Sequence, residues 1–195
     1  ERCGKEHKRK AIFLDRDGTI NKEVKLLHKV EDMELLPGVG EAIRKVNMTE
    51  YLVIMISNQP VVARGLVSME ELDEIHKRME WLLGEKGAKL DGMYFCPHHP
   101  DKGFPEENKF YKMDCLCRKP GTLMIDTAAK DFNIELEGSW MIGDFAGDVL
   151  CGKNAGVKTA GIDGTRPIDV YYDKTKVKAD IVVKSLKEAV DSILQ

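Results

Sequence analysis

The chain has 195 residues, of which 30 are basic and 33 acidic, a formal net charge of -3 with a pI near 6.0 and 43% hydrophobic side chains. That balance excludes the strongly basic surface of a nucleic-acid binder, and no apolar run approaches the roughly 18 residues of a membrane-spanning helix. A chain of this length buries roughly 70% of its unfolded surface in one core and needs no disulfide to fold.

The N-terminal "ERCGKEHKRK" is polar and basic. It reads as a solvated arm or linker over residues 1–10, not a signal peptide, with a single soluble, cytoplasmic domain over 11–195. Glu1 stands where an initiating methionine would, which fits a domain cut from a longer polypeptide. Next comes "AIFLDRDGTINKE", where four apolar residues lead directly into Asp15 and Asp17. Two carboxylates so close repel unless a cation or proton offsets them, although Asp and Gly are also ordinary turn residues.

Further along, "PGVGEAIRKVNM" predicts a helix from Pro37, "YLVIMIS" a strand, and "SMEELDEIHKRMEWLLGEKG" a helix. The last of these opens with the capping pair Ser68 and Glu71 and stops at Gly84 and Gly87. "GMYFC" predicts a third strand, followed by an irregular stretch from His98 to Arg118, and a loop that long usually has a function. Helix "GTLMIDTAAKDFNI", strand "SWMIGD", helix "GDVLCGKNAG", strands "KTAGID" and "ADIVV" and helix "SLKEAVDSILQ" complete the chain. Near-continuous apolar runs alternating with helices predict a three-layer, Rossmann-like α/β fold whose parallel sheet is covered on both faces.

In such a sheet ligands bind beyond the carboxyl ends of the strands. There the runs deliver Asp15 and Asp17, then Ser57 and Asn58, then Gly143 and Asp144, with Asp148 four residues on and Lys119 just before a helix. Clustered carboxylates with open water positions call for Mg²⁺, while hydroxyl, backbone N–H and lysine suit phosphoryl oxygens. Phosphoryl transfer through a carboxylate nucleophile, with a second carboxylate moving the proton, follows from that set.

The loop carries Cys96, His98, His99, Cys115 and Cys117. Read as C-x-H, sixteen residues, then C-x-C, it offers three thiolates and one imidazole to a structural Zn²⁺, with either histidine able to serve. Pinning Cys117 would also pin Arg118 and Lys119 beside it. Cys3 and Cys151 have no evident partner, and Cys151 reads as a small buried helix residue.

"DRDGT" after a strand, "SN" after the next, then "RKP" and "GDxxxD" together resemble the four motifs of the haloacid dehalogenase (HAD) superfamily in its phosphatase branch, over roughly residues 10–164. The resemblance implies Asp15 as nucleophile, Asp17 as general acid/base, and Ser57 and Lys119 as phosphate-binding groups. It also implies Mg²⁺ held by Asp15, Asp144 and the backbone carbonyl of Asp17, and Asp148 as an alternative ligand or a support behind the ligands; an exposed acid at a helix N-terminus is the plainer reading of Asp148.

"CPHHP", "CxCRKP" and "ISNQPVVARG" narrow the likeness to the D-glycero-D-manno-heptose 1,7-bisphosphate phosphatases and the related histidinol-phosphate phosphatases, which carry a zinc loop and no large cap domain. The family pattern favours His98 over His99 as the zinc ligand, beside Cys96, Cys115 and Cys117. The long loop favours removal of the C7 phosphate of the heptose, with histidinol phosphate or another small sugar phosphate as the alternative substrate and a non-catalytic zinc-stabilised domain as a third reading. Arg64 and Arg118 are the candidates for the distal phosphate or the sugar hydroxyls. The resemblance further suggests a monomer, and a fusion or partnership with a sugar-phosphate nucleotidyltransferase. The chain departs from the pattern at Pro60 and Val61, at Gly121, Thr122 and Leu123, and at Phe145.

Overall fold

The computed structural model describes residues 8–164, 168, 171–172 and 174–195. Cys3 and most of the expected arm lie outside the described residues. Each of the six apolar runs forms a strand: β1 (Ala11–Leu14), β2 (Leu52–Asn58), β3 (Gly92–Cys96), β4 (Trp140–Gly143), β5 (Lys158–Ile162) and β8 (Ile181–Val183). The two-residue strands β6 (Tyr171–Tyr172) and β7 (Thr175–Lys176) pair antiparallel as a separate ribbon.

The six-stranded sheet is parallel throughout, in the order β3-β2-β1-β4-β5-β8. The chain moves outward from β1 to β2 and β3, then resumes on the other side with β4. That reversal places the binding crevice at the carboxyl ends of β2, β1 and β4.

Burial on both faces explains the lack of polar residues in β1 and in β2 up to Ile56. Ile12, Leu14, Val53 and Met55 face a core built with α1 (Val39–Asn47), α2 (Met69–Gly84) and α5 (Leu186–Ile193). Ala11, Phe13, Leu52, Ile54 and Ile56 face the other way, onto Met124, Ile125 and Ala128 of α3 (Leu123–Asp131) and Cys151 of α4 (Ala146–Ala155). Both faces exclude water, so no position on β1 tolerates a polar side chain until the strand ends.

The expected cap of α2 is present and reciprocal: Ser68 Oγ accepts from Glu71 N at 3.1 Å, and Glu71 Oε2 accepts from Ser68 N at 2.7 Å. Residues 9 and 10, assigned by the sequence reading to the arm, already join the fold. Glu135 N donates to Arg9 O at 2.8 Å and Leu52 N to Lys10 O at 2.9 Å. The stretch from His98 to Arg118 holds only a 3-10 turn at Lys109–Tyr111, tied back through Asn108 N to Ala63 O at 2.9 Å. No described helix is long and apolar enough to cross a membrane.

Phe13 is fully buried at the centre of the second core. Phe13→Ala should lower the free energy of unfolding by about 3–5 kcal/mol in urea titration, the transfer cost plus the cavity left behind. A loss below about 1 kcal/mol would place Phe13 outside the core.

Candidate active site

Leu14 pairs with Met55 of β2 and Ile142 of β4, so Asp15 emerges level with the ends of three strands, its N–H donating to Ile142 O at 3.0 Å. The chain must then leave the sheet at once. Ile20 N and Asn21 N both donate to Arg16 O, at 2.8 and 3.1 Å, and Gly18 turns with φ +82°. A Cβ on Gly18 would strike the Asp144 carboxylate, so close approach as well as backbone geometry requires glycine there.

Lys119 holds the centre of the site. Its buried Nζ donates to Asp15 Oδ1 at 2.7 Å and Ile56 O at 2.8 Å, and pairs with Asp148 Oδ1 at 2.7 Å. Its own backbone is clamped by Asn58, whose Oδ1 accepts from Lys119 N at 2.9 Å and whose Nδ2 donates to Lys119 O at 3.2 Å. Burial alone would make the ammonium shed its proton, but Asp148 and Asp15 overcome that and push its pKa up. Asp15 is raised to about 6, by burial first and by Asp148 next, against the pull of Lys119.

Asp15, Asp144 and Asp148 bring carboxylate oxygens within 4.8 Å of one another. All three are buried, and Lys119 bridges two of them. A hard divalent cation is the species that three such oxygens suit. Asp148 is therefore neither exposed nor remote: it sits 3% exposed, and its Oδ2 also accepts from Phe145 N at 3.1 Å. A Cβ on Gly143 would collide with Asp148, which explains glycine at the end of β4.

The Asp17 carboxylate points elsewhere. It takes Arg16 Nη2 at 3.0 and 2.9 Å on its two oxygens, Asn21 Nδ2 at 2.9 Å and Gln59 Nε2 at 2.9 Å. Burial opposes its charge, yet Arg16 and the hydrogen bonds from Asn21 and Gln59 win and hold its pKa below the usual carboxylate range. Gln59 also donates to the buried Ser57 Oγ at 2.8 Å, linking the two motif residues.

A hollow of about 210 Å³ opens over this cluster, lined by Asp15, Asp17, Asn58, Arg118, Lys119 and Asp148. Pro60, Val61 and Phe145, where the chain departs from the family pattern, line it too. Arg64 does not: its guanidinium lies over Phe104, 4.6 Å from the ring centroid, in a second hollow of about 240 Å³ that shares Leu26 with the first.

The four expected zinc ligands converge. Cys115 Sγ lies 3.4 Å from Cys96 Sγ and 3.3 Å from Cys117 Sγ, and His98 Nδ1 is 3.7 Å from Cys96 Sγ and 3.4 Å from Cys117 Sγ. Zn–S bonds of about 2.3 Å span tetrahedral edges of about 3.8 Å, so these spacings fit one ion with little adjustment. His99 turns away, its Nδ1 accepting from Asp101 N at 3.1 Å. The loop also delivers Arg118, whose Nη1 reaches His98 O at 3.4 Å, and Gly121, where a Cβ would strike Leu116 O.

Sequence reading did not find Arg16, Gln59, Asn21 or His76 as parts of the site. Arg16 and Gln59 adjoin motif residues, and that adjacency was the available signal; His76 is 60 residues from its partner and gave none.

A family model described as HAD-hydrolase-like matches residues 116–189. The D-glycero-beta-D-manno-heptose-1,7-bisphosphate 7-phosphatase of Haemophilus ducreyi is 39% identical over 184 residues, covering 93% of this chain and 97% of that one. The alpha-specific namesake of Photorhabdus laumondii is 39% identical over 151 residues, covering 77% and 80%. Among solved structures, the D,D-heptose 1,7-bisphosphate phosphatase of B. bronchiseptica, complexed with magnesium and phosphate, superposes with a TM-score of 0.76 at 27% identity over 95% and 98% of the two chains.

Gly18→Ala should push Asp144 out of register with Asp15 while leaving the sheet intact. Phosphatase activity is expected to fall about 100-fold, the scale of a misplacement near 1 Å, with an unchanged circular dichroism spectrum. Activity within about twofold of the parent would show that Asp144 does not need this position.

Proposed function

The chain belongs to the family of HAD-like phosphatases named D-glycero-beta-D-manno-heptose-1,7-bisphosphate 7-phosphatase, and on that premise we propose that it removes the C7 phosphate of a heptose 1,7-bisphosphate through Asp15. It is a hydrolase of phosphomonoesters. The observation that carries the assignment of roles is the Lys119 ammonium between Asp15 and Asp148.

With Oδ1 held by Lys119, the Asp15 carboxylate is fixed in rotation as well as position. An Asp15 oxygen attacks phosphorus, the new O–P bond forms, and the bond from phosphorus to the C7 oxygen breaks. Asp17 gives its proton to that departing oxygen. Water then attacks the aspartyl-phosphate, Asp17 takes the water's proton, and Asp15 is released with inorganic phosphate. Asp17 is held ionised at rest, which suits the second step; a phosphate dianion brought beside it raises its proton affinity, so that it takes up from solvent, as substrate binds, the proton it gives in the first.

Asp15, Asp144 and Asp148, with the Asp17 backbone carbonyl, are the groups that would hold Mg²⁺. When bound, the ion offsets the repulsion among these carboxylates and the entering phosphate and stabilises charge on the phosphoryl oxygens. Asn58 and Lys119 line the hollow at the phosphoryl end, the buried Ser57 stands behind Gln59 and outside that lining, and Arg118 in the lining suits the distal phosphate because a guanidinium binds phosphate bidentately. Arg64 would serve a distal group only where the substrate extends past Leu26 into the neighbouring hollow. Cys96, His98, Cys115 and Cys117 would hold Zn²⁺ and so fix Arg118 and Lys119 from behind.

Phosphate release from both anomers of heptose 1,7-bisphosphate, from fructose 1,6-bisphosphate and from histidinol phosphate, with Mg²⁺ and with EDTA, tests the proposal. The heptose bisphosphate should be turned over fastest, EDTA should abolish activity, and Asp15→Asn should lose at least about 1,000-fold, as removal of a nucleophile does. Activity surviving Asp15→Asn would overturn the mechanism, and faster turnover of histidinol phosphate would overturn the substrate.

Elemental analysis of protein purified without chelator should find about one zinc per chain, as four ligands around one ion require. Cys117→Ser should lower both zinc content and the thermal midpoint. Zinc-free protein of unchanged stability would refute the structural role.

A further inference from the structure

Helix α2 buries Leu72, Ile75, Met79 and Leu83, and His76 lies in the same stripe, only 2% exposed. A polar ring so placed must find its partners inside the protein. Its Nε2 lies 3.3 Å from Nη1 of Arg16, and Arg16 is itself completely buried. A guanidinium has donors only, so Nε2 must present its lone pair and the proton sits on Nδ1.

On its other side Arg16 reaches Asp17, through Nε at 3.2 Å and Nη2 at 3.0 and 2.9 Å. An unbroken series of contacts therefore runs from α2 to the Asp17 carboxylate. The groups facing the imidazole are Arg16, then Asp17 behind it, Asp73 on its own helix, and the Phe95 ring 5.1 Å away. Burial and the Arg16 charge hold its pKa down to about 4 against the pull of the two aspartates, so the lone pair is retained at neutral pH. Lysine or a protonated histidine could not stand beside Arg16 at this site; a neutral acceptor can.

We propose that His76 is a positioning residue: by accepting from Arg16 Nη1 it fixes the guanidinium that orients the Asp17 carboxylate for its proton transfers. The inference rests on the reading of Asp17 as the group that moves the proton. Asn21 and Gln59 also hold Asp17, so loss of His76 should loosen the carboxylate without releasing it.

His76→Phe keeps a ring against Phe95 and removes the acceptor, whereas His76→Gln extends an acceptor to the Nε2 position. Both are compared with the parent and with Asp17→Asn on whichever substrate of the panel above is turned over fastest. Full loss of a general acid/base costs about 100-fold or more, so His76→Phe, which only loosens it, should lower kcat about tenfold with KM within about twofold. His76→Gln should keep kcat within about threefold of the parent, since it retains the hydrogen bond.

An unchanged kcat in His76→Phe, a change in KM alone, or equal losses in the two variants would overturn the proposal. If Asp17→Asn is disabled while His76→Phe is not, only the role of His76 falls. If Asp17→Asn stays active, the reading of Asp17 falls and this inference with it. Should His76→Phe not fold, His76→Gln and His76→Asn make the same comparison, because Asn is too short to reach Arg16: loss confined to His76→Asn supports the role, and equal activity overturns it.

Discussion

An ammonium group buried between two carboxylates sets the terms for the rest of this molecule. Lys119 is 4% exposed, and taking its charge out of water costs several kcal/mol unless every donor is met. Its three N–H groups have three partners, Asp15, Asp148 and the carbonyl of Ile56, which come from β1, α4 and β2. No single element could supply that set. The sheet order places β1 between β2 and β4, and the site follows from where those strands stop.

Much of the remaining structure serves to keep Lys119 there. Its backbone belongs to a loop with little regular structure, so its position depends on Asn58 clamping both of its backbone polar groups and on the contacts of Cys117, two residues earlier, with Cys115 and His98. Glycine at 121 lets that loop pack against Leu116 and Arg118. The glycines at 18 and 143 play the same part on the other side, allowing Asp144 and Asp148 to approach the strand ends more closely than any side chain would permit.

The two halves of the site differ in their electrostatics. Asp15, Asp144 and Asp148 are pressed together, and burial and the Asp148 charge raise the proton affinity of Asp15, the kind of crowding that a cation would relieve. Asp17, two residues from Asp15, is surrounded by donors and held as an anion. Two carboxylates on one turn are thereby held in different surroundings, a division made by Arg16, Asn21, Gln59 and, through Arg16, His76.

Six strands, five helices and the principal site residues were legible in the chain, because each is encoded locally. Apolar runs without alternation require a sheet covered on both faces, Ser68 and Glu71 cap a helix through neighbouring groups, and Asp15, Lys119 and Asp144 stand in short motifs at strand or helix ends. The pairing of Cys96 and His98 with Cys115 and Cys117 was legible for the same reason, since ligand spacing is local on each side. Whereas His98, which the family pattern already favoured over His99, is the histidine that turns to the sulfurs, tertiary structure alone decided that Asp148 joins the carboxylate cluster and that Arg64 faces a neighbouring hollow. It alone brought His76 to Arg16, across 60 residues. These are facts about which way a side chain turns and what distant segment meets it, and they are set by packing after the strands have been assembled, where no pattern along the chain records them.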